Sequence, residues 1–342
     1  MKHKVLKLFN DIYLQTKDNL LLRVLCAIYL FDFFDKLKLK AYPEYWFNLL
    51  EEDLSDFLNC QKFFNKYFDC KINAFDKLKQ GEIEKSIQEE TGEVYYNLWK
   101  DFDKKEYYRN TYNILKQRFT KNDIHIKDIQ HALDKGCGSG RYSVALNKLG
   151  CLNVTGIDVS LNSIKFAKKM CKLTDHKNIN YYVSSVLNVP FDSDCFDFVF
   201  SNGVLHHTTS TNKGIEEIHR ILKNKGQCWL YLYGGKESFF WDMVDMCRKL
   251  IAPIPQHYTQ QVMKLLGYHS GRIFHRTDFF YVPINNRYFE KEVIQMIQDS
   301  GFSNYRRLKR GTEYDWDEII NNNPKIDPYL FGEGEMRFLL TK

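Results

Sequence analysis

Three glycines at alternate positions, Gly136, Gly138 and Gly140, follow an apolar run ending in Asp134, and Asp158 stands 20 residues beyond Gly138. Glycine lets a chain turn sharply after a strand and approach a ligand with no Cβ in the way. A carboxylate at that distance falls at the tip of the neighbouring strand, where it can accept both hydroxyls of a ribose. This half of the chain is therefore built to hold a nucleoside-containing cofactor. The spacing is G-x-G-x-G, not the G-x-G-x-x-G of dinucleotide sites, and the next helix opens with Arg141 and Tyr142.

The surrounding blocks narrow the choice. Leu133–Asp134–Lys135–Gly136–Cys137–Gly138–Ser139–Gly140 resembles the first motif of class I S-adenosylmethionine (SAM)-dependent methyltransferases, and Gly156–Ile157–Asp158–Val159–Ser160 their ribose-binding loop. Asn188–Phe191, Phe196–Val199 and Ser201–Thr208 resemble the third- and fourth-strand motifs, and Ile215–Gly226 the helix and turn before the fifth strand. The five motifs fall in order over residues 129–235, and the core is similar to the small-molecule, type 11 kind. The resemblance implies SAM as cofactor. It places Asp134 and the backbone of Gly136, Cys137, Gly138 and Gly140 beside the methionine part, Asp158 on the ribose with Val159 alongside, and Asn202 and Gly203 near the amino-acid end. Ser185 and Val186 fall at the adenine, where many relatives carry an acid. A serine hydroxyl there is a weaker, neutral acceptor.

Methyl transfer from a sulfonium needs chiefly alignment and exclusion of water. A general base is required when the acceptor is a hydroxyl. The candidates are His206 and His207 after the fourth strand, and His269, His275 and Asp278 further on. Asp315 and Glu318 stand in a late loop. The Leu205–His–His–Thr208 string also suits scaffolding of its loop. Three readings of function follow. The first is transfer to an O or N atom of a small molecule: a sugar, nucleotide-sugar or secondary metabolite. The second is RNA methylation, motivated by resemblance of the core to tRNA methyltransferases and by the basic run Tyr305–Arg310. The third is a SAM-binding, partner-docked subunit without turnover.

The expected frame is α/β: a Rossmann-like, seven-stranded class I methyltransferase sheet with a helical N-terminal extension and an α-rich cap inserted after the fifth strand. Residues 1–90 read as helical, with helices over Lys2–Gln15, Asn19–Lys38, Pro43–Cys60 and Asn73–Thr91. Residues 91–128 form a helical connector in which Tyr95, Tyr96 and Trp99 are candidates for a cover over the cofactor. The core, 129–235, alternates strands 130–134, 153–157, 180–184, 196–201 and 227–233 with helices 140–149, 160–172 and 212–222. The insertion, 236–288, is rich in aromatic residues that could roof an acceptor pocket. Residues 289–342 supply a helix at 289–300 and strands at 303–309 and Glu335–Thr341. The resemblance implies that the last strand is antiparallel and enters between the fifth and sixth.

With 342 residues the chain can bury a substantial core. A net charge of +6, without a long basic tail, neither demands nor excludes nucleic acid. Nine cysteines occur singly and with no C-x-x-C pair, which fits reduced thiols in a cytoplasmic protein and offers no zinc motif. Leu20–Phe34 is strongly apolar but short, is interrupted by Arg23 and contains Asp32, so a buried or partner-facing helix is expected and no membrane span. Through these helices a homo-oligomer or a protein partner could be engaged.

Overall fold

The computed structural model describes residues 2–16, 19–38, 45–67, 87–99, 104–173, 176, 178–252, 254–308, 311–312 and 327–342. They form two compact units: residues 1–85 with 239–281, and 86–238 with 282–342. The N-terminal helices and most of the insertion, far apart in sequence, thus belong to one unit.

That unit is all-helical. It contains α1 (Lys2–Gln15), α2 (Leu20–Lys38) and α3 (Trp46–Tyr67), and from the insertion α9 (Phe239–Ile251), α10 (Gln256–Leu265) and α11 (Ser270–Tyr281). A helix apolar around most of its circumference must be enclosed by others. α2 is such a helix, burying Leu22, Val24, Ala27, Leu30, Phe33, Phe34 and Leu37 among others. Phe31 lies against Phe240, Phe279 and Phe280 with ring centroids 5.6–6.1 Å apart, and Phe34 lies 5.0 Å from Phe240. The aromatic side chains of the insertion are thereby part of this unit's core. A charged cluster with a buried arginine and two half-buried aspartates lies beside them. Arg276, on α11, has no exposed surface and donates Nε to Asp32 at 3.1 Å and Nη2 to Asp35 at 3.0 Å on α2; Tyr268 also donates to Asp32.

The second unit carries the sheet. Its strands are β1 (His131–Lys135), β2 (Asn153–Asp158), β3 (Ile179–Val183), β4 (Phe196–Asn202), β5 (Leu222–Tyr233), β6 (Asn304–Arg307) and β7 (Glu335–Thr341), in the order β3-β2-β1-β4-β5-β7-β6. β7 is antiparallel to both neighbours, as the resemblance implied. The helices are α4 (Ile87–Trp99), α5 (Lys104–Lys121), α6 (Arg141–Lys148), α7 (Leu161–Leu173), α8 (Thr211–Ile221), α12 (Glu290–Asp299) and the short α13 (Asp327–Phe331). One face of the sheet packs Leu133, Val199, Leu230 and Phe338 against Ile215 and Ile218 of α8 and Val293 and Ile297 of α12. On the other, Phe119 of α5 meets Phe198, Phe200 and Trp229.

Several boundaries differ from expectation. α3 continues to Tyr67, since neither glycine nor proline interrupts Trp46–Tyr67. Pro43 lies outside the described residues. So does most of the helix expected over Asn73–Thr91; the helix described there is Ile87–Trp99, which runs straight through Gly92. A Cβ on Gly92 would come 2.8 Å from Ser160 Cβ, so glycine is what lets α4 pack on the β2–α7 turn. β5 starts at Leu222, paired with Phe196, and absorbs the extra residues in an irregularity of register before Gln227. β6 is confined to four residues at the sheet edge.

Arg276→Ala is expected to destabilise the protein by about 2–4 kcal/mol in chemical denaturation, because Asp32 and Asp35 then face each other without the buried guanidinium. An unchanged midpoint would show that the cluster adds nothing net.

Candidate functional site

The glycine loop follows β1 and is held by its neighbour: the amides of Gly136 and Cys137 both donate to the Ile157 carbonyl, at 2.9 and 2.8 Å. Gly136 adopts φ +84°, and a Cβ there would come 2.5 Å from Val204 Cγ1. The loop can therefore turn under the β4 exit only as glycine. Gly138 and Gly140 also have positive φ, and Tyr181 of β3 fills the space beneath Gly140. Tyr108 of α5 closes the loop's other side by donating to the Ser139 carbonyl at 2.7 Å.

Asp158 ends β2. Its Oδ2 accepts the Gly138 amide and its Oδ1 the Ser160 amide, each at 2.9 Å. Burial raises its pKa, and the two amides pull it back down. Each oxygen keeps a lone pair beyond its single amide bond, so the two acceptors fit the hydroxyls of a ribose diol. Val159, half-buried, follows it. Asp134 is buried at the end of β1 and accepts the Ser143 hydroxyl at 2.6 Å; burial pushes its pKa up to about 7. The adjacent Lys135, buried on the other side of the strand, donates to the Gly214 carbonyl at 2.6 Å and is pulled down to about 7 by burial. Cys137 is buried, and its thiol is pushed up by desolvation.

The remaining cofactor candidates lie along the same rim. Ser185 and Val186 follow β3; the Ser185 hydroxyl accepts the Leu187 amide at 3.1 Å, and Val186 packs against the core. Asn202 ends β4 with Oδ1 accepting the Trp229 indole N–H at 3.0 Å, and Gly203 turns with φ +76° above Tyr231. α4 touches this rim at two places, Gly92 on Ser160 and the Tyr95 ring 5.7 Å from His207. Tyr96 is half-buried, and the side chain of Trp99 lies outside the described residues.

The four catalytic candidates divide between the units. His206 and His207 stand together in a short 3-10 turn after β4, with ring centroids 4.2 Å apart. His206 Nδ1 accepts the Tyr233 backbone amide at 3.2 Å, which leaves the proton on Nε2. Its ring stacks on Tyr233 at 3.7 Å, and burial, reinforced by His207, holds its pKa well below the usual 6.5. His206 is thus a neutral donor with its basic nitrogen already engaged. His207 has the opposite tautomer: Nδ1 lies 2.7 Å from the Ile284 carbonyl, which can only accept, so Nε2 is the basic atom. His275 and Asp278 belong to α11 of the helical unit. There His275 packs edge-on against Phe31 and Phe279, at 5.7 and 5.1 Å. Asp315 and Glu318 lie outside the described residues.

The sequence reading missed the partners of the histidine pair. Tyr231 and Tyr233 alternate along β5 on one face, a period-2 signal that points to the His206 side of the sheet. The Ile284 carbonyl and the Val282–Tyr288 segment carry no such signal, because a backbone acceptor has no sequence signature.

Residues 133–230 match the family model described as a methyltransferase domain. The chain is 26% identical over 242 residues to the uncharacterized protein MJ1252 of Methanocaldococcus jannaschii, covering 70% of this chain and 83% of that one. It is 24% identical over 232 residues to demethylmenaquinone methyltransferase of Staphylococcus aureus (strain JH9), covering 65% and 88%. A SAM-dependent methyltransferase of Archaeoglobus fulgidus, known from its crystal structure, aligns with a TM-score of 0.45 at 13% identity, covering 70% of this chain and 97% of that one. Through residues 133–230 the protein carries a methyltransferase domain of the SAM-dependent kind. It is an enzyme of methyl transfer, and its cofactor is S-adenosylmethionine.

Asp158→Ala is expected to weaken SAM binding at least about 100-fold in titration calorimetry, through loss of the charged acceptor and of the loop's anchor. Retention of affinity within a few-fold would remove Asp158 from the site. The buried pair beside it sets a pH profile for the cofactor-free protein. The unfolded chain releases the Asp134 proton near 3.8 while the folded chain holds it to about 7, so this group lowers stability as pH rises between those values. The unfolded chain keeps the Lys135 proton to 10.5 while the folded chain loses it near 7, so stability climbs again over that range. Urea denaturation across pH should show Asp134→Asn flattening the acid limb and Lys135→Met the alkaline one.

Proposed function

We propose that the enzyme methylates an oxygen or nitrogen atom of a small molecule, such as a sugar, nucleotide-sugar or secondary metabolite, with His207 as the general base. The observation that carries this reading is the tautomer of His207. Its Nδ1–H is held by the Ile284 carbonyl, so Nε2 is the atom able to take a proton. When it does, the same carbonyl stabilises the imidazolium. His206 stays neutral, so the pair never has to carry two adjacent positive charges.

The other residues bind and orient. Asp158 would hold the ribose, the Gly136–Gly140 backbone and Asp134 the methionine part, Asn202 and Gly203 its amino-acid end, and Ser185 with Val186 the adenine. The bound cofactor supplies a methyl group already activated by a sulfonium. Tyr95, Tyr231 and Tyr233 surround the histidine pair at ring distances of 3.7–5.8 Å, an apolar wall that excludes water and suits a small ring-bearing acceptor.

Two further observations favour a small acceptor over RNA. Arg306 of the basic run donates to the Asn122 carbonyl, and Arg307 donates to the carbonyls of Glu333 and Glu335 at 3.2 Å, so these guanidinium groups are tied into the protein at an edge strand. Lys309 and Arg310 lie outside the described residues. The Staphylococcus relatives, named demethylmenaquinone methyltransferases, also act on a small molecule by their name. Among the described residues no helix is long and apolar enough to cross a membrane, and the described cysteines are free thiols, which fits work in the cytoplasm.

Transfer of labelled methyl from SAM into fractionated cell extract tests the reading, with Asp158→Ala as control. Label is expected in a low-molecular-weight, nuclease-resistant fraction. His207→Asn should lower that transfer by about 10²–10⁴ while leaving SAM affinity within about twofold. Nuclease-sensitive label would overturn the small-molecule assignment, and an unimpaired His207→Asn enzyme would dismiss the base.

A further inference from the structure

The chain segment that returns from the helical insertion is bonded along the histidine turn almost residue by residue. The Ile284 carbonyl accepts His207 Nδ1–H at 2.7 Å, and the Asn286 amide donates to the His206 carbonyl at 2.9 Å. Asn286 Nδ2 donates to the Thr208 carbonyl at 3.0 Å, the Tyr288 amide to the Tyr233 carbonyl at 3.1 Å, and the Tyr288 hydroxyl to Thr211 Oγ1 at 2.8 Å. Asn285 stands between the two positions pinned to the histidines. Its backbone neighbours are fixed, but its side chain takes no part in these bonds. Both Oδ1 and Nδ2 are shielded from solvent, and neither has a hydrogen-bond partner among the described residues.

A second orphan lies on the facing turn. His206 has no exposed surface, its Nδ1 is used by Tyr233, and its Nε2–H is buried with no partner among the described residues. Buried polar atoms are nearly always paired, because leaving one unpaired forfeits its hydration for nothing in return. A carboxamide and an imidazole N–H, left unpaired on two strips of backbone bonded to each other, have the form of a recognition site. Resting on the reading of this turn as the methyl-transfer site, we propose that Asn285 recognises the methyl acceptor. Its amide pairs with an uncharged group that both donates and accepts, a hydroxyl or an amide edge. An amide presents one acceptor and two donors and carries no charge, so it discriminates by hydrogen-bond pattern. Sites that bond a substrate hydroxyl or N–H reject the analogue lacking it far more strongly than apolar pockets reject a methylene.

Asn285→Leu keeps the approximate volume and removes the polar atoms. In the full chain saturated with S-adenosylhomocysteine, the Tm is expected to stay level or rise. A fall of more than about 3 °C would overturn the proposal, since the amide would then be bonded within the folded protein, directly or through an ordered water. SAM affinity should stay within about twofold. In a dilution series of the label-accepting fraction, the apparent KM should rise at least about tenfold with kcat changed less than about threefold. An unchanged KM overturns the assignment. If the wild-type enzyme labels no fraction, it is the small-molecule reading that fails, and Asn285 is decided separately. The protein is labelled with 15N-asparagine, and the Asn285 side-chain signal is identified by its loss in Asn285→Leu. N-acetylglucosamine and uridine, both uncharged with hydroxyls and an amide edge, are then titrated in. A saturable shift supports recognition, and no shift with either overturns it.

Discussion

The two amide bonds accepted by Asp158 are the constraint on which the site depends. One carboxylate ties the glycine loop after β1, through Gly138, to the turn after β2, through Ser160. The parallel register that pairs Asp134 with Gly156 and Lys135 with Ile157 brings the two strand ends level, so the bonds are available without strain. Burial makes the charge costly, and the two amides offset part of that cost. The carboxylate that braces the loop is the same one proposed to hold the ribose. At Asp134 burial outweighs the bonds from Ser143 and the attraction of Arg141, and its pKa is pushed up to about 7.

The histidine pair shows how backbone bonds assign roles to identical side chains. His206 and His207 are sequence neighbours with touching rings, and nothing in the residue types separates them. One receives a backbone N–H and becomes a neutral donor; the other gives its proton to a backbone carbonyl and presents a basic nitrogen. The donors and acceptors that make this difference come from β5 and from the segment after α11. Scaffolding and proton transfer, which compete as readings of the sequence, are divided between the two residues in the function proposed above.

The insertion illustrates a different limit. Its aromatic residues suggest a pocket roof when the sequence is read alone. In the structure Phe239, Phe240, Phe279 and Phe280 are buried with Phe31 and Phe34 of α2, and Arg276 joins α11 to Asp32 and Asp35. The N-terminal extension and the insertion supply each other's apolar faces, and the apolar circumference of α2 is satisfied by helices encoded more than 200 residues away. Periodicity shows that a face must be covered but not by what.

What the sequence determined by itself was local and repetitive. The glycine spacing, the acid at the end of the second strand and the alternation of strands with helices were legible because loops, strand tips and sheet order obey short-range rules. The motif resemblance supplied the placement of β7. What only the tertiary structure decided was contact between distant segments: the tautomers of His206 and His207, the orphan amide of Asn285, the union of the first three helices with the insertion, and the tying down of Arg306 and Arg307. Each depends on a backbone carbonyl, a backbone amide or a facing helix brought in by the fold, and such partners leave no mark in the residues they contact.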